Sequence, residues 1–153
     1  MLALLAASAS CSSSNSDAAP STANPADPYD AARDKCVATI NSYRATLSLP
    51  PVTRWKEQEI CSDGEADSDS QTGKAHGAFG TCGEMAQNEC PGWPGPPDKL
   101  IEGCLKMMWD EGPGTDFKTH GHYINMSNKD YTKVACGFHQ MPTGAFWAVQ
   151  NFK

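Results

Sequence analysis

Apolar side chains along this chain keep two rhythms, three to four residues over most of its length and two residues near the C-terminus. Tyr29, Ala32, Cys36, Val37, Ile40, Tyr43 and Leu47 form one stripe of a helix that must stop before Pro50 and Pro51. Asp27 suits the N-cap of that helix and Pro28 its first position. A second helix is expected from about Thr53 to Asp69, with Trp55, Ile60, Cys61 and Ala66 inward and Gly64 weakening it. Residues 73–97 read as a loop, because Gly, Cys and Pro crowd it and its end, CPGWPGPP, is too dense in breakers for a helix. A third helix spans about Asp98 to Asp110, with Leu100, Ile101, Cys104, Leu105, Met108 and Trp109 buried and Gly112, Pro113 and Gly114 ending it. The period then shortens to two. Val134, Cys136 and Phe138 share a face, Trp147 and Val149 oppose Phe146 and Ala148, and QMPTG between them reads as a hairpin turn. Three helices followed by a short antiparallel sheet is an α+β pattern.

From Ser12 to Pro28 no large aliphatic residue occurs, so residues 12–28 cannot offset their ordering entropy and read as a tether. Before it stands MLALLAASAS and then Cys11, the layout of a bacterial signal that ends at a lipid-modified cysteine. No Lys or Arg precedes the apolar stretch and Ser8 stands where Leu is usual. Residues 1–11 are therefore either a lipoprotein signal, truncated or misplaced at its start, or an ordinary secretory signal. One domain over 29–153 remains, large enough to bury roughly two thirds of its unfolded surface.

A net charge of −6, with only 12 scattered Lys and Arg, excludes a nucleic-acid partner. No run approaches the ~20 apolar residues of a membrane span, which leaves a lipid anchor as the route to a membrane. Seven cysteines without a CxxC pair point to an oxidising compartment and to disulfides, hence to an exported protein, cell-envelope or secreted. Six of them lie inside the domain, and Cys11 is left for the lipid.

Four side chains carry candidate chemistry: His76 and Glu84 in AHGAFGTCGE, Glu111 in MMWDEG and His122 in HGHYINM. Two imidazoles and two carboxylates suit a divalent metal such as zinc and serve equally as acid and base. His120 and His122 would point the same way on a strand and form an alternative metal pair. The acidic run CSDGEADSDS lacks the spacing of a calcium loop and reads as a solvated helix face.

The segments INSYRATLSLPPVTRW, AHGAFGTCGEMAQN, MMWDEG, GHYINM and FWAVQNF, in that order, resemble the CAP superfamily (SCP domain) of cysteine-rich secretory proteins, venom antigens and plant pathogenesis-related class 1 proteins. Met85 replaces the family's Asn after Gly-Glu, Ile40 replaces His before Asn41, and Glu111 follows Trp109 by two residues where three is usual. The Ile-Asn-Met after Tyr123 is a form associated with bacterial members. The resemblance implies an α-β-α sandwich, a short antiparallel sheet covered by three to four helices and stiffened by disulfides.

It also implies a cleft in which His76 and His122 ligate a divalent ion, while Glu84 and Glu111 act through water or orient the imidazoles. Affinity would fall as pH drops through the ordinary imidazole range, about 6 to 6.5. A lipid, sterol or glycan is the ligand class left open, for a protein expected to be monomeric. The alternative is a metal-dependent, peptidase-like hydrolase with Glu84 or Glu111 as general base. No HExxH helix and no nucleophile with an adjacent base supports that alternative, so binding is favoured over catalysis. Among the many connectivities six cysteines allow, one that fits the element order pairs Cys36 with Cys61, Cys82 with Cys90, and Cys104 with Cys136.

Overall fold

The computed structural model describes residues 26–153; the expected signal, Cys11 and most of the tether lie outside the described residues. The chain forms α1 (Asp30–Thr46), β1 (Thr53–Arg54), a 3-10 turn at Lys56–Gln58, and α2 (Glu59–Thr72). It continues through β2 (Ala86–Trp93), α3 (Pro97–Trp109), α4 (Phe117–Ser127), β3 (Lys133–Gln140) and β4 (Phe146–Phe152). The sheet order is β1-β3-β4-β2. β4 pairs antiparallel with both β3 and β2, and β1 adds a short parallel pair to β3, so the sheet is mixed where a purely antiparallel one is expected.

Alternation along the strands separates two faces. Val134, Cys136, Phe138, Phe146, Ala148 and Phe152 join Ile40, Leu105 and Met126 in one apolar core beneath α1, α3 and α4. On the other face Trp147 and Val149 meet Ala66 of α2. Gly137 lets that helix come down, since a Cβ there would collide with the backbone carbon and oxygen of Ser62. The result is the expected α-β-α sandwich. Among the described residues, no helix is long and apolar enough to cross a membrane.

Four local expectations change. Helix α2 starts at Glu59, because Thr53 and Arg54 pair with Lys133 and Val134, and Ile60, expected inward, is 75% exposed. Residues 86–93, inside the expected loop, form the edge strand β2. His120 and His122 lie on a helix, not on a strand. That helix is short and rich in weak formers, and it is held at its ends. Asp116 caps it by accepting the Lys118 N–H at 3.1 Å, and the buried Arg44 donates to the carbonyls of Met126 and Asn128. At the start of α1, Tyr29 occupies the N-cap position while Asp27 accepts the Tyr29 N–H and pairs with Arg33.

The disulfides are Cys36–Cys136, Cys61–Cys82 and Cys90–Cys104, which corrects all three expected pairs. Cys36 and Cys61 cannot meet, because α1 and α2 cover opposite faces of the sheet. Cys90 lies inside β2, whose rise of ~3.3 Å per residue carries it away from Cys82 in the loop before the strand. The observed bonds tie α1 to β3, α2 to the loop before β2, and β2 to α3.

Candidate functional site

Glu111 follows the C-terminus of α3, and His122 sits one turn into α4. The His122 Nδ1 lies 2.5 Å from Glu111 Oε1, while Glu111 Oε2 accepts the backbone N–H groups of His122 at 3.0 Å and Tyr123 at 3.3 Å. The carboxylate thus receives three donors from one turn of helix, and the one-residue offset after Trp109 does not remove Glu111 from the site. His120 is directed elsewhere, with Nδ1 on the carbonyls of Glu111 and Gly112 at 2.8 and 3.0 Å. Residues two apart on a helix do not share a face, so the His120/His122 metal pair does not form.

His76 lies on the loop after α2 with φ of +60°, and β2 holds it. Its backbone N–H donates to Glu89 Oε1 at 2.7 Å, and its Nδ1 is 2.9 Å from Gln87 Oε1. The neighbouring Gly77 is required by a close approach, because a Cβ there would come within 2.8 Å of Asp69 Oδ1. His76 and His122 line one cavity of about 170 Å³ with Gln87, Glu111, Lys118 and Asn125. The Nε2 atoms of both rings take no partner among the described residues.

Glu84 is not in that lining. Its Oε1 accepts the Gly80 N–H, and its Oε2 is buried without another hydrogen-bond donor. It faces Glu65, and ligand atoms of Glu65, Cys82 and Glu84 lie within 4.8 Å of one another, a possible metal-binding group. The Cys82 sulfur is bonded to Cys61, so no thiolate is available there and the group is in effect a pair of carboxyls. Burial pushes the Glu65 carboxyl up to about 7; the Asn151 hydrogen bond opposes that rise and Glu84 adds to it. Glu89 is also pushed up to about 7, first by burial and further by Asp69, against hydrogen bonds from Trp147 and the His76 N–H.

Gln87, Glu89, Lys118, Asn125 and Glu65 are site residues that sequence reasoning did not single out. Gln87 and Glu89 carried no usable signal: in AQNEC they flank the equally polar Asn88, and three consecutive polar residues show no alternation that marks a strand. A second, more apolar pocket of about 310 Å³ shares His76, Gln87, Phe117 and Asn125 with the first. Three of the large apolar side chains exposed on the domain, Phe79, Met85 and Phe117, converge on it at 49%, 63% and 62% exposure.

The family profile described as "CAP: Cysteine-rich secretory protein family" matches residues 37–152. BmVAL-1 is a similar solved structure, with TM-score 0.66 and 14% identity, over 86% of this chain and 80% of that one. NaASP2, solved with Zn2+, superposes with TM-score 0.62 and 14% identity over 80% of this chain and 79% of its own. An outer surface protein from Borrelia burgdorferi does so with TM-score 0.58 and 13% identity, over 81% of this chain and 92% of its own. The chain spans only 38% of the length of Na-ASP-1, another solved structure of this fold. No curated protein matches the sequence. At these identities the structural likeness speaks for the fold, and the family profile, over most of the chain, speaks for descent. The chain belongs to the CAP family, the cysteine-rich secretory proteins.

Proposed function

We propose that this is an exported binding protein that holds a divalent cation, zinc first among them, on the Nε2 atoms of His76 and His122, and receives the apolar part of a small ligand beside it. The observation that carries the reading is that both imidazoles engage the protein through Nδ1, leave Nε2 without a partner among the described residues, and line one cavity. Imidazole nitrogen is a preferred zinc ligand, and two protein ligands leave open positions for water or a ligand group. Glu111, accepting from His122 Nδ1, fixes the tautomer and orientation of that ring. NaASP2, which shares the fold, was solved with Zn2+. Phe79, Met85 and Phe117 favour a lipid or sterol-like moiety over a glycan in the adjoining pocket.

Binding is favoured over hydrolysis. Both oxygens of Glu111 are committed to the His122 and Tyr123 donors, and Glu84 stands outside the cavity lining, so neither is placed as a general base. The three disulfides support export to an oxidising compartment. A lipid on Cys11 would hold the domain at the cell envelope, and mass analysis of the N-terminal peptide from native membranes tests it. For the metal, zinc titration of the wild type against His76→Ala and His122→Ala is decisive: loss of binding in both is expected, and unchanged binding in both would reject the site.

A further inference from the structure

Gln87 is buried on β2, and its amide is fully committed. Its Nε2 donates to Glu65 Oε2 and to Asn151 Oδ1, each at 3.1 Å. Asn151 cannot turn its own amide around, because its Nδ2 already donates to Ser62 Oγ at 2.9 Å and to Glu65 Oε2 at 2.5 Å. A primary amide has two N–H donors, and in Gln87 both are engaged. Flipping Gln87 would set its carbonyl against a carboxylate oxygen and an amide oxygen in a buried layer, leaving that carbonyl and Asn151 Oδ1 without donors. Gln87 Oε1 therefore faces His76, and an amide oxygen can only accept.

We infer that Gln87 sets the tautomer of His76: the proton is held on Nδ1, and the lone pair is left on Nε2 at the cavity. The polar layer behind supports that assignment one group at a time. Glu65 uses Oε2 to accept from Gln87 and Asn151, while its Oε1 and Glu84 Oε2, two of the four buried carboxylate oxygens without a donor among the described residues, belong to carboxyls that face each other with ligand atoms within 4.8 Å. A single proton between them satisfies both. Glu84 is thus a positioning residue, acting on His76 through Glu65 and Gln87. The two histidines are oriented by different chemistry, His122 by the carboxylate of Glu111 and His76 by the neutral amide of Gln87 at 2.9 Å, with Glu89 Oε1 farther from Nδ1 at 3.5 Å.

The consequence for ligation rests on the metal site proposed above, but the tautomer does not, and the two can be tested separately. Nitrogen-15 NMR of the ring nitrogens in metal-free protein, above the imidazole titration range, should show His76 protonated on Nδ1 and bare on Nε2. In Gln87→Leu the Nδ1 preference should be lost, and zinc affinity should fall about 10- to 100-fold. Glu65→Gln, which keeps an acceptor for Gln87 and supplies a donor to Glu84, should retain the wild-type tautomer. A wild-type His76 protonated on Nε2, or a Gln87→Leu protein with unchanged tautomer, would overturn the inference. The wild-type spectrum decides even if Gln87→Leu does not fold. If the tautomer is as expected but zinc does not bind the wild type, the inference stands and the metal reading fails.

Discussion

The two faces of the sheet are built by opposite means. Beneath α1, α3 and α4 a continuous apolar core, with Ile40, Leu105, Met108, Met126 and Phe138 essentially fully buried, encloses only a few polar side chains such as Asn88 and Gln150. Beneath α2 the apolar contact is small, Ala66 with Trp147 and Val149, and the remaining space is filled by Ser62, Glu65, Asp69, Gln87, Glu89 and Asn151. An apolar core tolerates many substitutions that keep volume. A buried polar layer holds only if each donor meets an acceptor, so it specifies geometry at the expense of stability. It is the polar face that touches His76. The fold thus takes its stability from one side and the aim of His76 from the other.

The widest separation of the two faces should come from Leu105→Ala in α3, which removes a fully buried side chain from the apolar core. We expect a loss of about 2–5 kcal/mol of unfolding free energy by denaturant titration, with zinc affinity of the folded fraction unchanged. A joint loss of affinity would show the faces to be coupled. Next in size is Gly137→Ala, whose Cβ would meet the Ser62 backbone and push α2 from the sheet. A loss of about 1–3 kcal/mol is expected, and here zinc affinity should fall too, because Glu65 and Gln87 move with respect to His76.

The polar layer should also announce itself through pH. Free Glu titrates near 4.3, whereas Glu65 and Glu89 are pushed up to about 7 in the fold. Between those values the folded state keeps protons that the unfolded chain releases. Stability from these groups is therefore complete below about pH 4 and is lost as pH rises through about 7. The melting midpoint should drop by a few degrees from pH 5 to pH 8. Glu65→Gln imitates the protonated form, so its midpoint should match the wild type at pH 5 and exceed it at pH 8; an identical slope in both proteins would remove the shared proton. The smallest effect on stability belongs to Phe117→Ala at the rim of the apolar pocket. There we expect a change within about 0.5 kcal/mol, together with weaker binding of an apolar probe such as a fluorescent fatty acid, measured by displacement.

Legibility in the sequence follows the same division. The stripes that became α1 and α3, and the alternation that became β3 and β4, are local periodicities that neighbouring residues impose whatever packs against them. The cysteine count spoke for disulfides, and His76, Glu111 and His122 were recognisable by residue type. Strand β2 was not legible, because its inward side chains Gln87 and Glu89 are polar and only the buried face of α2 makes them inward. Nor was α4, whose Gly, His and Asn residues are weak helix formers, stabilised by Asp116 and by Arg44 from a distant helix. Disulfide partners were equally out of reach, since which face of the sheet each helix covers is decided by the packing of the whole chain.

By itself, then, the sequence determined the main helices, the C-terminal hairpin and the stock of imidazoles and carboxylates, all properties of short stretches of chain. Only the tertiary structure decided that Glu111 orients His122, that Gln87 rather than Glu84 meets His76, and that Cys36 finds Cys136. The physical reason is that a buried polar group is defined by the partner that satisfies it, and that partner comes from another element, far away in sequence.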